Sequence, residues 1–258
     1  MSDSHVSRRK FFMHSAHKTI GVSAGLAAWQ ACDLSRFALA DEPKRTLRVC
    51  LVSGCPLYKS DESLAALEKY LTARDHVTCS RAFSRNKEEL PGLENLDDAD
   101  CMVLFTRRMQ IDGEPLQRIK RFCRRGGAIV AIRTASHALQ NWLELDKEVL
   151  GGDYDGHFSN PITQVKIVEE AKDHPVLAGV EPFASHGTLY KNAQVADDVT
   201  VLLAGSFPEH THPVAWVRRR QGGRVFYTSL GHPDDFRQES FLRLLANAVE
   251  WTCDQQPR

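Results

Sequence analysis

Three runs dominated by apolar residues constrain the fold of this chain more than any other feature. They are LRVCLV at 47–52, CMVLF at 101–105 and AIVAI at 128–132. A strand that is apolar on both faces is buried on both, as happens in a parallel sheet covered by helices. These runs therefore predict an α/β protein.

Helical patterns alternate with the strand runs. The segment SDESLAALEKYLTAR places Leu64, Leu67 and Leu71 on one helix face, and we expect Ser60 to cap this helix. A second helix follows residue 112 and should end at Gly126-Gly127, a typical C-terminal signal. With a further strand at 77–83, the order β-α-β-β-α-β predicts a doubly wound, mostly parallel, flavodoxin-like sheet.

The second half of the chain has shorter extended segments, which are TQVKIV, VTVLL, PVAWV and RVFYTS. The last two flank RRRQGG, a basic turn with a glycine pair, and predict a hairpin. An amphipathic helix, ESFLRLLANAVEWT, should close the fold. We expect residues 41–258 to form one domain.

The first forty residues have a different character. SRRKFF is followed by a mildly apolar stretch, TIGVSAGLAAWQA, and then by ALAD. This order is typical of an export signal, and the Arg8-Arg9 pair resembles the twin-arginine type. We expect residues 1–40 to be a signal that is cleaved after Ala40, so that the mature protein is periplasmic. The alternative is a basic tail beside a surface helix.

Composition limits the partners and the disulfides. The chain has 33 basic and 33 acidic side chains, so no overall field favours nucleic acid, and no segment after residue 40 is long enough to cross a membrane. Cys50, Cys79 and Cys101 lie inside apolar runs, where cysteine behaves as a small hydrophobe. We expect most of the six cysteines after residue 40 to be free, with Cys55, in a loop, as the exception to watch.

Polar residues cluster where the predicted strands end. Ligands of open parallel sheets bind outside the carboxyl ends of the strands. The candidates at or between these ends are Arg107, Arg133, His137, Tyr154, Asp155, His157, Tyr190, His210, His232 and Asp235. We expect Arg133, His137, Asp155, His157 and His232 to converge there, with His210 and Tyr190 at the rim.

Several motifs resemble a known family. GGAIVAIRTASHAL, EVLGGDYDGHF, LYKN, PVAW and GRVFYTSLGHPDDF together resemble the ThuA-like (trehalose utilisation) family, over roughly residues 46 to 254. The resemblance implies a class I glutamine amidotransferase-like fold. In amidotransferases of that fold, a nucleophilic cysteine occupies the turn after the strand that AIVAI resembles, and the matching residue here is Arg133.

An arginine at this turn changes the chemistry. It is permanently charged and cannot attack a carbonyl, which excludes a Cys-His-Glu mechanism at this position. We interpret Arg133 as a ligand clamp or as a support for His137. The alternative is a buried ion pair with Asp153 or Asp155.

The resemblance also bears on a metal. The family's usual loop is Gly-Asn-Tyr-His-Gly-His, whereas this chain has Asp155 in place of the first histidine. If the family uses that pair for metal, His157, His232 and Asp155 are the candidate ligands, and zinc or manganese accepts such a set.

The sequence supports two hypotheses for function. The first is an exported enzyme acting on a sugar or keto-sugar derivative. Its catalytic groups would be His157, His232, Asp155 and His137, and its substrate-binding groups Arg133, Arg107, Tyr154, Tyr190, His210 and Asp235. The second is a non-catalytic carbohydrate-binding module that stacks sugars on Tyr58, Tyr154, Tyr190 and Trp216. Both take a small sugar ligand, and a homo-oligomer is compatible with either.

Overall fold

A computed structural model describes residues 45–254 of the chain. The predicted export signal, with its Arg8-Arg9 pair and its cleavage position after Ala40, lies outside the described residues.

The described residues form one nine-stranded sheet with three α-helices. The strands are β1 (Leu47–Gly54), β2 (Val77–Phe83), β3 (Cys101–Thr106), β4 (Ala128–Ile132), β5 (Thr163–Ile167), β6 (Phe183–Ser185), β7 (Val199–Phe207), β8 (His210–Arg220) and β9 (Gly223–Thr228). The helices are α1 (Ser60–Thr72), α2 (Gly113–Arg124) and α3 (Glu239–Cys253). The strand order is β2-β1-β3-β4-β9-β8-β7-β5-β6.

Helices cover both faces of the sheet, as the doubly apolar strands require. In β1, Val49 and Leu51 pack with the buried residues of α1 and α3, whereas Cys50 and Val52 pack with those of α2. The four predicted N-terminal strands, the two helices between them, the hairpin and the terminal helix are all confirmed.

The sheet is mixed, so the prediction of a mostly parallel sheet holds only for its first half. Strands β2, β1, β3, β4 and β9 are parallel, and β8, β7, β5 and β6 continue with antiparallel pairing. Two-residue turns join β7 to β8 and β8 to β9, and strands joined so tightly can pair only in antiparallel orientation.

The predicted cap of α1 is wrong. Lys59 occupies the capping position in a left-handed conformation (φ 45°), and it makes no side-chain cap. The Ser60 hydroxyl instead accepts the Cys55 N–H at 2.8 Å and contacts the Ser53 hydroxyl at 2.6 Å. Ser60 therefore fixes the turn between β1 and α1.

All six described cysteines are free, as expected, and four of them are buried. Between residues 45 and 254, none of the helices has the length and the apolar character needed to cross a membrane.

Candidate active site around Arg133

Strand β4 ends in a sharp turn at Arg133. Its backbone adopts a left-handed conformation (φ 48°), which costs a residue other than glycine about 1–2 kcal/mol. Gly231 packs closely against this turn. A Cβ added at position 231 would lie 2.7 Å from Ile132 Cγ2, so no larger residue fits at that position. Strained strand-to-helix turns of this kind present nucleophiles in other α/β enzymes. Here the turn presents an arginine.

The Arg133 side chain is only 1% exposed and is held by neutral oxygens. Its Nη1 donates to the Ser229 carbonyl at 2.8 Å. Its Nη2 donates to the Tyr58 hydroxyl at 3.1 Å and to the Thr188 hydroxyl at 3.3 Å. The guanidinium carbon lies 4.3 Å from the centre of the Tyr58 ring and 4.9 Å from that of Tyr190. Rings at these distances stabilise a desolvated cation.

Arg133 has no ion pair among the described residues, so the alternative of a structural pair with Asp153 or Asp155 is wrong. Asp153 pairs with Lys147 at 3.0 Å instead. Asp155 is exposed, and its backbone N–H donates to the Lys191 carbonyl at 3.3 Å. The Nε of Arg133 is buried without a partner. The charge is thus solvated by dipoles and rings.

A cavity of about 550 Å³ opens beside Arg133. Its lining includes residues from four separated segments, which are Tyr58, Lys59, Arg133, His186, Gly187, Thr188, His232 and Asp234. This volume is within the usual range for small-molecule sites.

Two histidines and one carboxylate face this cavity. His232 Nδ1 lies 3.4 Å from Asp234 Oδ2, and His186 Nδ1 lies 3.7 Å from the same oxygen. Burial lowers the pKa of His232, although the carboxylates of Asp235 and Asp234 oppose that shift. His232 is therefore neutral at neutral pH, and its Nε2 has no partner within residues 45–254.

Asp235 does not line the cavity, contrary to its predicted role in binding substrate. It is fully buried, and its carboxylate accepts hydrogen bonds from the Gly231 and His232 amides and from the Ser185 hydroxyl at 2.8–2.9 Å. The His186 amide adds a longer contact of 3.3 Å. The carboxylate thus fixes the backbones of both histidine-bearing loops.

A column of rings extends from Arg133 in the other direction. Tyr190 lies 4.5 Å from Tyr154, and Tyr154 stacks on His137 at 4.7 Å. Burial, reinforced by Arg107, Arg108 and Arg133, lowers the pKa of His137 to about 4. His137 is therefore uncharged at neutral pH. Arg133 and His137 thus lie close together at the end of β4, as expected, and Tyr154 and Tyr190 join them. Tyr190, expected at the rim, is only 2% exposed.

The predicted residues His157 and His210 lie farther out, on the surface. His157 is exposed, pairs through Nδ1 with the Phe158 carbonyl at 2.9 Å, and meets the column at Tyr190, with ring centres 6.4 Å apart. His210 is exposed and stacks on Phe158 at 4.2 Å. His232 contacts Tyr58 instead, with ring centres 6.5 Å apart. His157 and His232 therefore approach Arg133 through different tyrosines.

The predicted metal ligands do not form a ligand set. Between residues 45 and 254, no group of three or more histidine, cysteine, aspartate or glutamate side chains is arranged to hold a metal ion. His157 and Asp155 lie on an exposed loop, whereas His232 lies in the cavity. The residues present therefore do not fit the zinc or manganese site for which they were candidate ligands.

Among the residues of the cavity, Tyr58 is predicted only as a stacking ring of the binding-module hypothesis, and Gly187 and Thr188 are not predicted. Tyr58 lies four residues beyond the end of β1, so it carries the same strand-exit signal as Arg133. Thr188 and Gly187 carry no comparable signal, because they reach the cavity from a loop outside the parallel half of the sheet. Arg107, a predicted substrate-binding residue, lines a neighbouring cavity instead.

Comparisons with known proteins agree with this architecture. A family model described as ThuA, trehalose utilisation, matches residues 48–252. A search among curated proteins found no significant match.

Solved structures add to the agreement on the fold. A ThuA-like protein from Parabacteroides merdae is 16% identical, with a TM-score of 0.64 over 81% of this chain and 91% of its own. A ThuA-like protein from Bacteroides uniformis is also 16% identical, with a TM-score of 0.63 over 83% and 94%. At such identities the structural likeness establishes the fold alone.

Proposed function

Since the chain belongs to the ThuA (trehalose utilisation) family, we propose that it is an enzyme that acts on a sugar or keto-sugar derivative by acid–base chemistry, without a cysteine nucleophile. Family membership supports a carbohydrate-related role. The reaction itself is inferred from the cavity beside Arg133.

One observation carries the proposal: the His232–Asp234 pair and the buried guanidinium of Arg133 line the same cavity. When Nδ1 of His232 carries the proton and donates to Asp234, the lone pair of Nε2 is free to accept a proton. When Nδ1 instead accepts the Asp234 N–H, 3.3 Å away, Nε2 carries the proton and donates it. His232 can therefore act as a base and then as an acid.

Proton abstraction next to a keto group fits this arrangement. The carbon–hydrogen bond breaks, its proton moves to His232 Nε2, and its electron pair moves toward the carbonyl oxygen, which becomes an enolate. Arg133 has five N–H donors, three of which bind protein oxygens. The positive charge of Arg133 and the Tyr58 hydroxyl beside it would stabilise the oxygen on which charge develops.

The binding-module hypothesis has less support. Trp216 is 1% exposed, and its Nε1 donates to the Leu150 carbonyl at 2.7 Å, so it cannot stack on a sugar. Tyr190 is 2% exposed, which leaves Tyr58 and Tyr154 as the accessible rings.

The test is to incubate the purified protein with keto-sugars and their parent sugars, and to measure both solvent-deuterium incorporation and the heat of binding. We expect deuterium exchange in the native protein and its loss by a factor of about 100 or more in His232→Gln and Arg133→Lys. His76→Gln, at the opposite end of the sheet, is the matched control. Binding without exchange or product would replace the enzyme by a binding module.

Export is also part of the proposal; the order of basic, apolar and small residues in the first forty positions supports a signal, and the Arg8-Arg9 pair supports the twin-arginine route. Replacing both with lysine should retain the protein in the cytoplasm, as measured by cell fractionation. Unchanged export of that variant would remove the twin-arginine route from the proposal.

A further inference from the structure

A second cavity, of about 690 Å³, lies at the carboxyl ends of β1, β2 and β3. The turn Pro56–Tyr58 separates it from the cavity beside Arg133, and Leu57 and Lys59 line both. Strand β1 lies between β2 and β3, so the chain reverses its direction of winding here. Open α/β sheets bind ligands at such reversals.

Positive charge dominates the lining. Its four cations are Lys59, Arg85, Lys87 and Arg107, and its two acids are Asp61 and Glu62. Glu62 lies 3.7 Å from Lys59, whereas Asp61 accepts the neutral Ser53 hydroxyl at 2.5 Å and keeps its charge. Within residues 45–254, Arg85, Lys87 and Arg107 have no carboxylate within ion-pair distance.

The loop that carries two of these cations, residues 84–89, is held at both ends and in the middle. The Ser84 amide donates to the Ser53 carbonyl at 2.9 Å, and the Arg85 amide donates to the Glu89 carbonyl at 3.0 Å. The Lys87 carbonyl accepts the Gln110 amide at 2.6 Å. The backbone is thus fixed before a ligand binds, which lowers the entropic cost of binding.

Arg107 is fixed in a similar way, because its amide donates to the Gly54 carbonyl at 3.0 Å. The first turn of the 13-residue helix α1 also lines the cavity and adds the positive end of its dipole. Three strand exits and one helix start therefore direct positive charge into one space, where, among the described residues, the three cations without an ion pair outnumber Asp61, the one acid without an ion pair.

We propose that this cavity binds a doubly charged oxyanion of the phosphate type, either free or carried by a small molecule as a monoester, for which free sulfate is a mimic. Three unpaired cations exceed what a single carboxylate would neutralise. The volume accommodates the oxyanion together with an attached sugar-sized group. The site uses neither His232 nor Asp234, so it is independent of the proposed reaction.

The test is titration calorimetry of the native protein with inorganic phosphate, inorganic sulfate, glucose 6-phosphate and glucose. We expect the three anions to bind, more weakly as sodium chloride is added, and glucose not to bind this cavity. The double variant Arg85→Ala/Lys87→Ala should weaken anion binding by about tenfold or more. The matched control is Arg219→Ala/Lys166→Ala, which removes two exposed cations from β8 and β5.

The two sources of the oxyanion are then distinguished by affinity. Tighter binding of glucose 6-phosphate than of inorganic phosphate indicates an esterified ligand, and equal binding indicates the free anion. The proposal is overturned if no anion binds at about 10 mM, a concentration at which even millimolar affinity is seen. It is also overturned if the double variant binds like the control. Neither result would affect His232-dependent exchange.

Discussion

The Tyr227 hydroxyl donates a hydrogen bond of 2.9 Å to the carbonyl oxygen of Arg133. Tyr227 lies on β9 and pairs in register with Ala131 of β4, so the neighbouring strand holds the residue that ends β4. Burial raises the pKa of Tyr227 well above its usual value, which keeps the hydroxyl protonated and donating. This bond fixes the carbonyl of a residue in a left-handed conformation.

Tyr227→Phe should destabilise the protein, because a buried carbonyl loses its short hydrogen bond from a side chain and the Ser136 hydroxyl, 3.4 Å away, replaces it poorly. We expect a decrease of about 1–3 kcal/mol in the free energy of unfolding, measured by urea denaturation. Tyr70→Phe is the control, since that hydroxyl bonds an exposed carboxylate, Glu239. Equal losses in the two variants would contradict a special role for the Tyr227 bond.

Gly187→Ala should displace the Arg133 side chain. A Cβ on Gly187 would lie 2.7 Å from Arg133 Nη1 and 3.1 Å from Cζ, and the guanidinium cannot retreat easily between two tyrosine rings. We expect a loss of deuterium exchange of about tenfold or more, with a stability loss of about 1–3 kcal/mol. Gly222→Ala, which adds only backbone strain in the β8–β9 hairpin, is the control. A variant with native exchange would show that Arg133 need not hold this position.

The parallel half of the fold could be predicted because each of its strands carries its own signal. AIVAI, for instance, is apolar on both faces and becomes β4 with the same bounds. The sequence predicts the antiparallel half only as shorter strands, because their pairing depends on contacts between β5, β6 and β7 that no local pattern encodes. The direction of β8 was predictable only through its tight turn to β9.

The site was predictable at Arg133 and not at its neighbours. Strand-exit position identified Arg133, but its burial between Tyr58 and Tyr190 depends on loops that meet only in the folded chain. Asp234 and Asp235 are adjacent in sequence, yet one faces the cavity and the other lies beneath it. A one-residue difference in a loop has no periodic signal that reasoning from sequence could use.

Asp234→Asn should lower the pKa of His232. The native pKa is already below its ordinary value because of burial, and the carboxylates of Asp235 and Asp234 counteract that shift. Removing one of them favours the neutral ring, so the histidine should take up its proton at a lower pH. A base must be neutral, so the acidic limb of the pH–activity profile should also move to lower pH.

The measurement is NMR titration of the His232 ring, with Asp155→Asn as the control. A rise in this pKa, or equal titration in both variants, would count against the pairing.

Cys55→Ser should leave deuterium exchange within about threefold of the native value, since no base is placed to activate this position. The thiol is fully buried, and burial raises its pKa against an opposing contact with Thr134. At neutral pH it is therefore a protonated thiol rather than a nucleophile. Cys123→Ser, a buried thiol on α2, controls for the cost of a buried hydroxyl. A hundredfold loss confined to Cys55→Ser would restore covalent catalysis as a possibility.

Asp146→Asn should stabilise the protein above pH 6. Burial, with a smaller contribution from Asp153, raises the pKa of Asp146 from 3.8 to about 6, despite the bond that its Oδ2 accepts from the Tyr154 amide at 2.9 Å. Its Oδ1 is buried without a partner. The folded state therefore binds this proton more tightly than the unfolded state, so stability is highest below pH 4, falls between pH 4 and 6, and stays reduced above that range.

A pKa shift of this size corresponds to a loss of at most about 3 kcal/mol of folding stability when Asp146 is ionised. Replacing the acid with an uncharged amide should recover part of that loss. The measurement is urea denaturation of both proteins from pH 4 to 8. Between pH 4 and 6, the free energy of unfolding of Asp146→Asn should rise by about 1–3 kcal/mol relative to that of the native protein. The exposed Asp155→Asn should follow the native curve. Parallel curves for Asp146→Asn and the native protein would mean that the Asp146 carboxyl ionises normally. Water would then reach this carboxyl past Gly152, where an added Cβ would lie only 2.5 Å from Oδ1.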